Sequence, residues 1–154
     1  MNQFEPVKEA KPGRDYIGVG VGGIILNDAD EILFIRRGVA AKNERGAWTV
    51  PGGQVDFGET LEAAMRREVL EEVNLSVTDA RQLANVDHLI PSEHQHWVTT
   101  SFVVHVSDPT AARILEPTKM DRLGWFSLKE LPSPLTIAAN KFMKLYRASV
   151  RRIG

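Results

Sequence analysis

A chain of 154 residues is about one domain of sequence and is long enough to bury a core. With 43% hydrophobic and 25% charged residues, its composition is that of an ordinary globular protein, not of a disordered or membrane-embedded one. The net charge of −1 gives no electrostatic footprint for a dedicated nucleic-acid binder. The absence of cysteine excludes disulfides, thiolate chemistry and cysteine-based zinc sites.

The opening MNQFEPVKEAKPGRD is polar, lacks the apolar stretch of a signal peptide, and is expected to form an N-terminal arm over 1–15, mobile or added at a sheet edge. No apolar run is long enough to span a bilayer, so no membrane partner and a cytoplasmic setting are expected. From Tyr16 to Leu26 the pattern is β-branched and extended; NDADE supplies a turn before a second strand, ILFIRR. GVAAKNERG reads as a loop and Trp48 to Pro51 as a short strand end. A helix is predicted from about Thr60 to Val73. Strands follow at about Val77–Leu89, Val98–Val106 and Leu123–Ser127, and a last helix at about Thr136–Arg151. No repeat or linker divides 16–154, which is read as a single domain. Strands interleaved with two helices predict an α/β sandwich on a mixed sheet.

GVGVGG, from Gly18 to Gly23, matches the dinucleotide fingerprint G-x-G-x-x-G as a string. The fingerprint works only where a strand ends and a helix N-terminus meets the pyrophosphate. Here Ile24, Ile25 and Leu26 continue the strand instead. The better reading is a strand face at Gly18, Gly20 and Gly22 without side chains, open to close approach by a ligand or a packing element.

The segment from Gly52 to Leu75, GGQVDFGETLEAAMRREVLEEVNL, carries the chemistry. Thr60 is placed to cap the helix, Glu62 suits the dipole at its first turn, and Asn74 suits a left-handed C-terminal position. Leu61, Met65, Val69 and Val73 recur as a core-facing stripe. Glu68 and Glu72 flank that stripe, roughly 40° apart, with Glu71 roughly 60° from Glu68 on the same side. As like charges at i, i+4 they destabilise an isolated helix by about 0.2–0.5 kcal/mol, and burial worsens this. A hard divalent cation reverses the sign. Arg67 precedes Glu71 by one turn and can hold its carboxylate. The plain alternative is a solvated acidic helix. The loop before it, with Pro51, Gly52, Gly53, Gly58 and Glu59, favours the metal reading, because its backbone can approach a cation or a phosphate closely.

The segment resembles the Nudix box, G-x5-E-x7-R-E-U-x-E-E-x-G-U with U a bulky apolar residue. It fits as Gly53, Glu59, Arg67, Glu68, Val69, Glu71, Glu72 and Leu75, with Asn74 in place of the final glycine. GAWTVPGG upstream is similar to the family's approach to the box. Glu116, Pro117 and Lys119, then Trp125 and Phe126, resemble its closing strand and turn.

The resemblance implies a Nudix-type α/β/α sandwich with a central mixed β-sheet. It implies a Mg²⁺-dependent hydrolase (Mn²⁺ being the alternative ion) that cuts a phosphoanhydride bond. Glu68 and Glu72 are then the principal metal ligands, with Glu71 and a backbone carbonyl of Gly52 or Gly53 adding to them, and one carboxylate deprotonates the attacking water. Glu59 orients the loop. Arg37 matches an arginine that contacts phosphate, whereas Arg36 faces the other way by strand alternation. Glu93, in DHLIPSEHQHWVTTSF beside His88, His94 and His96, is a candidate base or second metal ligand against the plainer reading of a polar hairpin loop. Trp97 is a candidate to stack on a base, or simply packs. The compact layout favours MutT-like nucleoside triphosphate pyrophosphohydrolases, releasing nucleoside monophosphate and pyrophosphate. GDP-mannose and ADP-ribose hydrolases are the alternatives: the first usually carries arginine where this chain has Gln54, and Pro91 weakly favours the second. A silent Nudix-fold ligand sensor is the non-enzyme alternative. Relatives are frequently homodimers.

Overall fold

The computed structural model describes residues 9–153. Seven strands and two helices follow in order: β1 (Gly18–Leu26), β2 (Ile32–Arg37), β3 (Trp48–Thr49), β4 (Gly52–Gln54), α1 (Leu61–Val73), β5 (Val77–Ile90), β6 (Gln95–Val106), β7 (Met120–Phe126) and α2 (Ile137–Ile153). Their order in the sheet is β3-β2-β1-β6-β5, with β4 pairing on β1 and β7 on β2. The β1–β6 pair is parallel and the other pairs are antiparallel, so the sheet is mixed, as expected.

Alternation sorts the sheet residues into two cores. Val21, Ile25, Leu33, Ile35, Phe102 and Val104 face α1 and bury its Met65, Val69 and Val73. Ile24, Leu26, Ile32, Phe34 and Val103 face α2 and bury Ala139, Phe142, Met143 and Tyr146. Each helix therefore covers one face, which makes the α/β/α sandwich.

Helix α1 is bounded as its sequence dictates. The Thr60 side chain accepts a hydrogen bond from the Ala63 N–H at 3.1 Å, and Asn74 takes the left-handed conformation (φ 62°). Its Nδ2 also donates to the Ala111 carbonyl at 3.2 Å, so asparagine does here more than a glycine would.

Three elements differ most from the sequence expectation, one being β7, which starts at Met120, three residues before the expected Leu123. β6 starts at Gln95, three residues early, because a turn at Pro91–Glu93 with left-handed His94 closes a tight hairpin to β5. Gly52–Gln54 forms a strand, paired to β1, that two glycines conceal in the sequence. The arm expected over 1–15 falls partly outside the described residues. Its described part folds back on β6: the His96 N–H donates to the Gly13 carbonyl at 2.7 Å, and a Cβ on Gly13 would overlap the Trp97 indole.

The bare face of β1 is closed by packing in part and borders a cavity in part. Gly18 abuts the Trp97 ring and Gly22 abuts Phe142 of α2, so both ends are closed by packing. Between them Gly20 lies at the wall of a cavity.

Candidate active site

The pairing of β4 with β1 sets Gly52 opposite Gly22 and Gly53 opposite Val21. A Cβ on Gly52 would overlap the Val21 carbonyl, and one on Gly53 would stand 2.5 Å from the Glu68 carboxylate. Gly52 must be bare for β4 to pair this closely with β1, and Gly53 for the Glu68 side chain of α1 to lie against it. The Gly52 N–H then points at Glu72, donating to Oε2 at 3.4 Å.

Burial beside the core stripe has the electrostatic consequence expected of it. It pushes the Glu72 carboxyl up to about 8, and the charge of Glu68 beside it adds to the shift. Glu68 is also raised by burial, against the pull of Arg67. Two neighbouring carboxyls whose ionisation is opposed in this way are suited to a cation.

Arg67 organises the loop side. Its Nε and Nη2 each donate to Glu59 at 2.7 Å, Nη1 donates to Glu68 at 2.9 Å, and Nη2 also donates to the Gln54 carbonyl at 3.0 Å. This fork holds the Glu59 carboxylate down at about 2. Glu71 receives a longer bond, 3.3 Å, from the same guanidinium. Its side chain is 54% exposed against 15% for Glu68, so the inward pair is Glu68 and Glu72.

Replacing Arg67 with lysine should lower kcat/KM by about 10²-fold with little loss of stability, because a point charge cannot hold Glu59, Glu68 and the loop carbonyl together. Steady-state kinetics beside a thermal melt test this. An unchanged kcat/KM would remove Arg67 from the site.

A cavity of about 380 Å³ opens in front of the glutamates. Glu68, Glu71, Glu72, Gly52 and Gly53 line it together with Arg37, Lys42 and Lys119. Among the described residues no three acid, histidine or cysteine side chains converge into a closed metal cage. A carboxylate pair open to a cavity suits Mg²⁺, which keeps water and phosphate oxygens among its ligands. The cations that line the same cavity suit the phosphate chain itself.

Arg37 and Arg36 part company at a bulge in the β2–β7 pairing. Arg36 makes a two-pronged pair with Asp121 at 2.8 and 3.0 Å, away from the site. Arg37 lines the glutamate cavity and donates from Nε and Nη2 to the Asn43 carbonyl and Oδ1, at 2.9 and 2.8 Å. Asn43 in turn donates to Glu93 at 2.8 Å. Glu93 does not line the glutamate cavity; it steadies Arg37 through Asn43.

Trp97 donates from Nε1 to Gln95 at 2.7 Å and lines a second cavity of about 290 Å³ on the α2 face. Gly52, Gly53, Glu72 and Arg37 border both cavities.

Contributors that escaped the sequence reading as site residues include Lys42, Asn43, Glu44, Glu116 and Phe142. Glu116 sits in the noted EPTK stretch and its charge helps raise Glu72. The others come from a loop and from α2, and no local spacing announces them.

A family model of the NUDIX domain matches residues 17–146, and the chain belongs to that family. It is 37% identical to a MutT NUDIX hydrolase from Burkholderia pseudomallei, with a TM-score of 0.76 over 83% of this chain and 96% of that one. It is 32% identical, over 73% of its length, to the 8-oxo-dGDP phosphatase NUDT18 of Mus musculus, and spans 33% of that protein. It is 33% identical, over 51% of its length and 67% of the relative's, to the 8-oxo-dGTP diphosphatase of Proteus vulgaris. The chain thus spans about a third of the length of NUDT18. Among the described residues no helix is long and apolar enough to cross a membrane.

Proposed function

We propose that this protein is a Mg²⁺-dependent hydrolase that cuts a nucleoside triphosphate into a nucleoside monophosphate and pyrophosphate. The observation that carries this reading is the buried Glu68 and Glu72 pair, resisting ionisation beside Gly53, where a Cβ would meet the Glu68 carboxylate. Those residues fit a hard cation: Glu68 and Glu72 would hold it, with Glu71 and the Gly52–Gly53 backbone lining the same cavity. When bound, such an ion offsets the charge of the phosphate chain and lowers the pKa of a water.

The chain's own groups supply the rest. Arg37 is pre-aimed by Asn43, and with Lys42 and Lys119 it presents positive charge to the phosphates in the cavity that the glutamates line. Arg67 fixes the loop and Glu68 so that no reorganisation is needed when substrate arrives. A carboxylate of the Glu68–Glu72 pair takes the proton of the attacking water. Two of the relatives are named for oxidised deoxyguanosine nucleotides, and the second cavity, sharing Arg37 and Glu72 with the first, leaves room for a base beyond the phosphates.

The deciding experiment is a substrate panel with Mg²⁺: ordinary and oxidised nucleoside triphosphates and diphosphates, ADP-ribose and nucleotide sugars. Pyrophosphate and phosphate release are scored separately. Pyrophosphate from a triphosphate is expected. Preferred release of phosphate from a diphosphate, or of free mannose from GDP-mannose, would overturn the reading.

A further inference from the structure

The second cavity lies on the α2 face of the sheet, between Trp97 and Phe142, with Gly20 and Gly22 as bare backbone along β1. Phe142 covers Gly22 and Thr99 stands beside Gly20, so the open stretch of β1 lies around Gly20, with the Trp97 and Phe142 rings also lining the slot. Its volume, about 290 Å³, is at the low end for ligand sites and fits one ring system rather than a second nucleotide.

The polar groups around this slot are mostly engaged with one another. The Thr136 hydroxyl accepts from the Ala139 N–H at 3.1 Å, and Glu44 Oε1 accepts from the Ile137 N–H at 2.9 Å; both cap α2. Asn43 is held between Arg37 and Glu93, and the Gln95 oxygen accepts from Trp97. The Thr99 hydroxyl, beside Gly20, and the His88 side chain stand apart from them. His88, directly across from Trp97 in the β5–β6 pairing, lines the slot, and its Nε2 is the single buried side-chain nitrogen or oxygen without a hydrogen-bond partner among the described residues.

A buried polar atom left without a protein partner costs stability unless water or a ligand satisfies it. Removal from water pushes the His88 imidazole pKa down, so at neutral pH the ring is uncharged and has one N–H donor and one bare acceptor nitrogen. Nε2 itself is shut off from the open cavity, so engaging a ligand takes a turn about Cβ–Cγ, a torsion that is broad in histidine.

We propose that His88 is a specificity-determining residue, hydrogen-bonding the polar edge of a planar heteroaromatic ring seated between Trp97 and Phe142 on the bare face of β1. This rests on the nucleotide reading above and assigns its base subsite. His88 then selects among bases by the donor and acceptor pattern each brings to that nitrogen, while Trp97 and Phe142 bind any flat ring.

The test separates this from the reaction. Binding of AMP, GMP, CMP and UMP is measured by calorimetry without metal, on the wild-type protein, His88→Phe and His88→Gln, beside thermal melts. The wild type should separate its best and worst base by about tenfold or more in Kd. His88→Phe should compress that spread to about threefold or less while holding or raising the melting temperature, because it fills the space and removes the unpaired nitrogen. His88→Gln, which restores a donor and an acceptor, should recover part of the spread.

A wild type indifferent to the base, or a His88→Phe protein with the same ranking, would overturn the assignment. Turnover of the triphosphates is scored separately. Base discrimination through His88 without any triphosphate hydrolysis would end the proposed reaction and leave this subsite standing. Hydrolysis with base preference unchanged in His88→Phe would do the reverse.

Discussion

Glu72→Gln is expected to lower Mg²⁺-dependent turnover by about 10³-fold or more and, without metal, to make the protein more stable than wild type. The two effects have one cause. Glu72 lies where burial and Glu68 push its carboxyl to about 8, against the 4.5 of an unperturbed group. The glutamine side chain has nearly the same shape and can still accept the Gly52 N–H, but it carries no charge to hold a cation. Losing a ligand in this position forfeits about 4 kcal/mol of transition-state stabilisation, which is the stated rate loss. In the metal-free fold at pH 7 the wild-type carboxyl must be protonated or desolvated, whereas glutamine escapes that cost, a gain of roughly 2–3 kcal/mol. Initial rates with Mg²⁺ and urea melts in chelator read the two sides. Full activity in the variant would remove Glu72 from the site; lost activity with lost stability would make it a structural residue.

That variant probes the part of the molecule most legible in the sequence. The stripe of Met65, Val69 and Val73, the cap at Thr60 and the left-handed Asn74 are local facts, set within one helix by a period of 3.6 residues. The position of Glu68 and Glu72 beside the stripe follows from the same period. The glycines are half legible: their spacing shows that something approaches closely, yet only tertiary structure tells that Trp97 takes Gly18 and Phe142 takes Gly22. Arg36 and Arg37 divide as alternation predicts, but the bulge that sets Arg37 on the cavity is invisible in ILFIRR.

The stretch from Asp87 to Phe102 was the least legible. Glu93 carries the right chemistry for a base, and nothing local reveals that Asn43, fifty residues away, claims its carboxylate. His88 was one of several histidines in a polar stretch; what singles it out is an unpaired nitrogen, a property of the packed fold alone. Function in this chain is read from helix spacing where the contacts are local, and from the three-dimensional arrangement where they join β1, β5, β6 and α2.

Protons should leave the site as the metal enters it. Between pH 4.5 and about 8 the metal-free folded protein keeps a proton on Glu72 that the unfolded chain has released. The folded state therefore binds more protons than the unfolded one, and the stability of the metal-free protein falls as pH rises through this window, levelling above about 8. Glu68, raised by the same burial, adds in the same direction. A divalent cation binds the ionised carboxylates, so near pH 7 its binding expels about one proton from Glu72. Its affinity should consequently climb by about tenfold per pH unit between pH 6 and 8 and flatten beyond. Adding Mg²⁺ should reverse the fall in melting temperature with pH. Calorimetric titrations with Mn²⁺ or Mg²⁺ in two buffers of different ionisation enthalpy count the protons directly. Glu72→Gln should lose most of that release, and Glu71→Gln, whose carboxylate is exposed and held by Arg67, should keep it. Metal affinity that does not change across this range would mean that the cation binds elsewhere, and that the buried pair serves the fold alone.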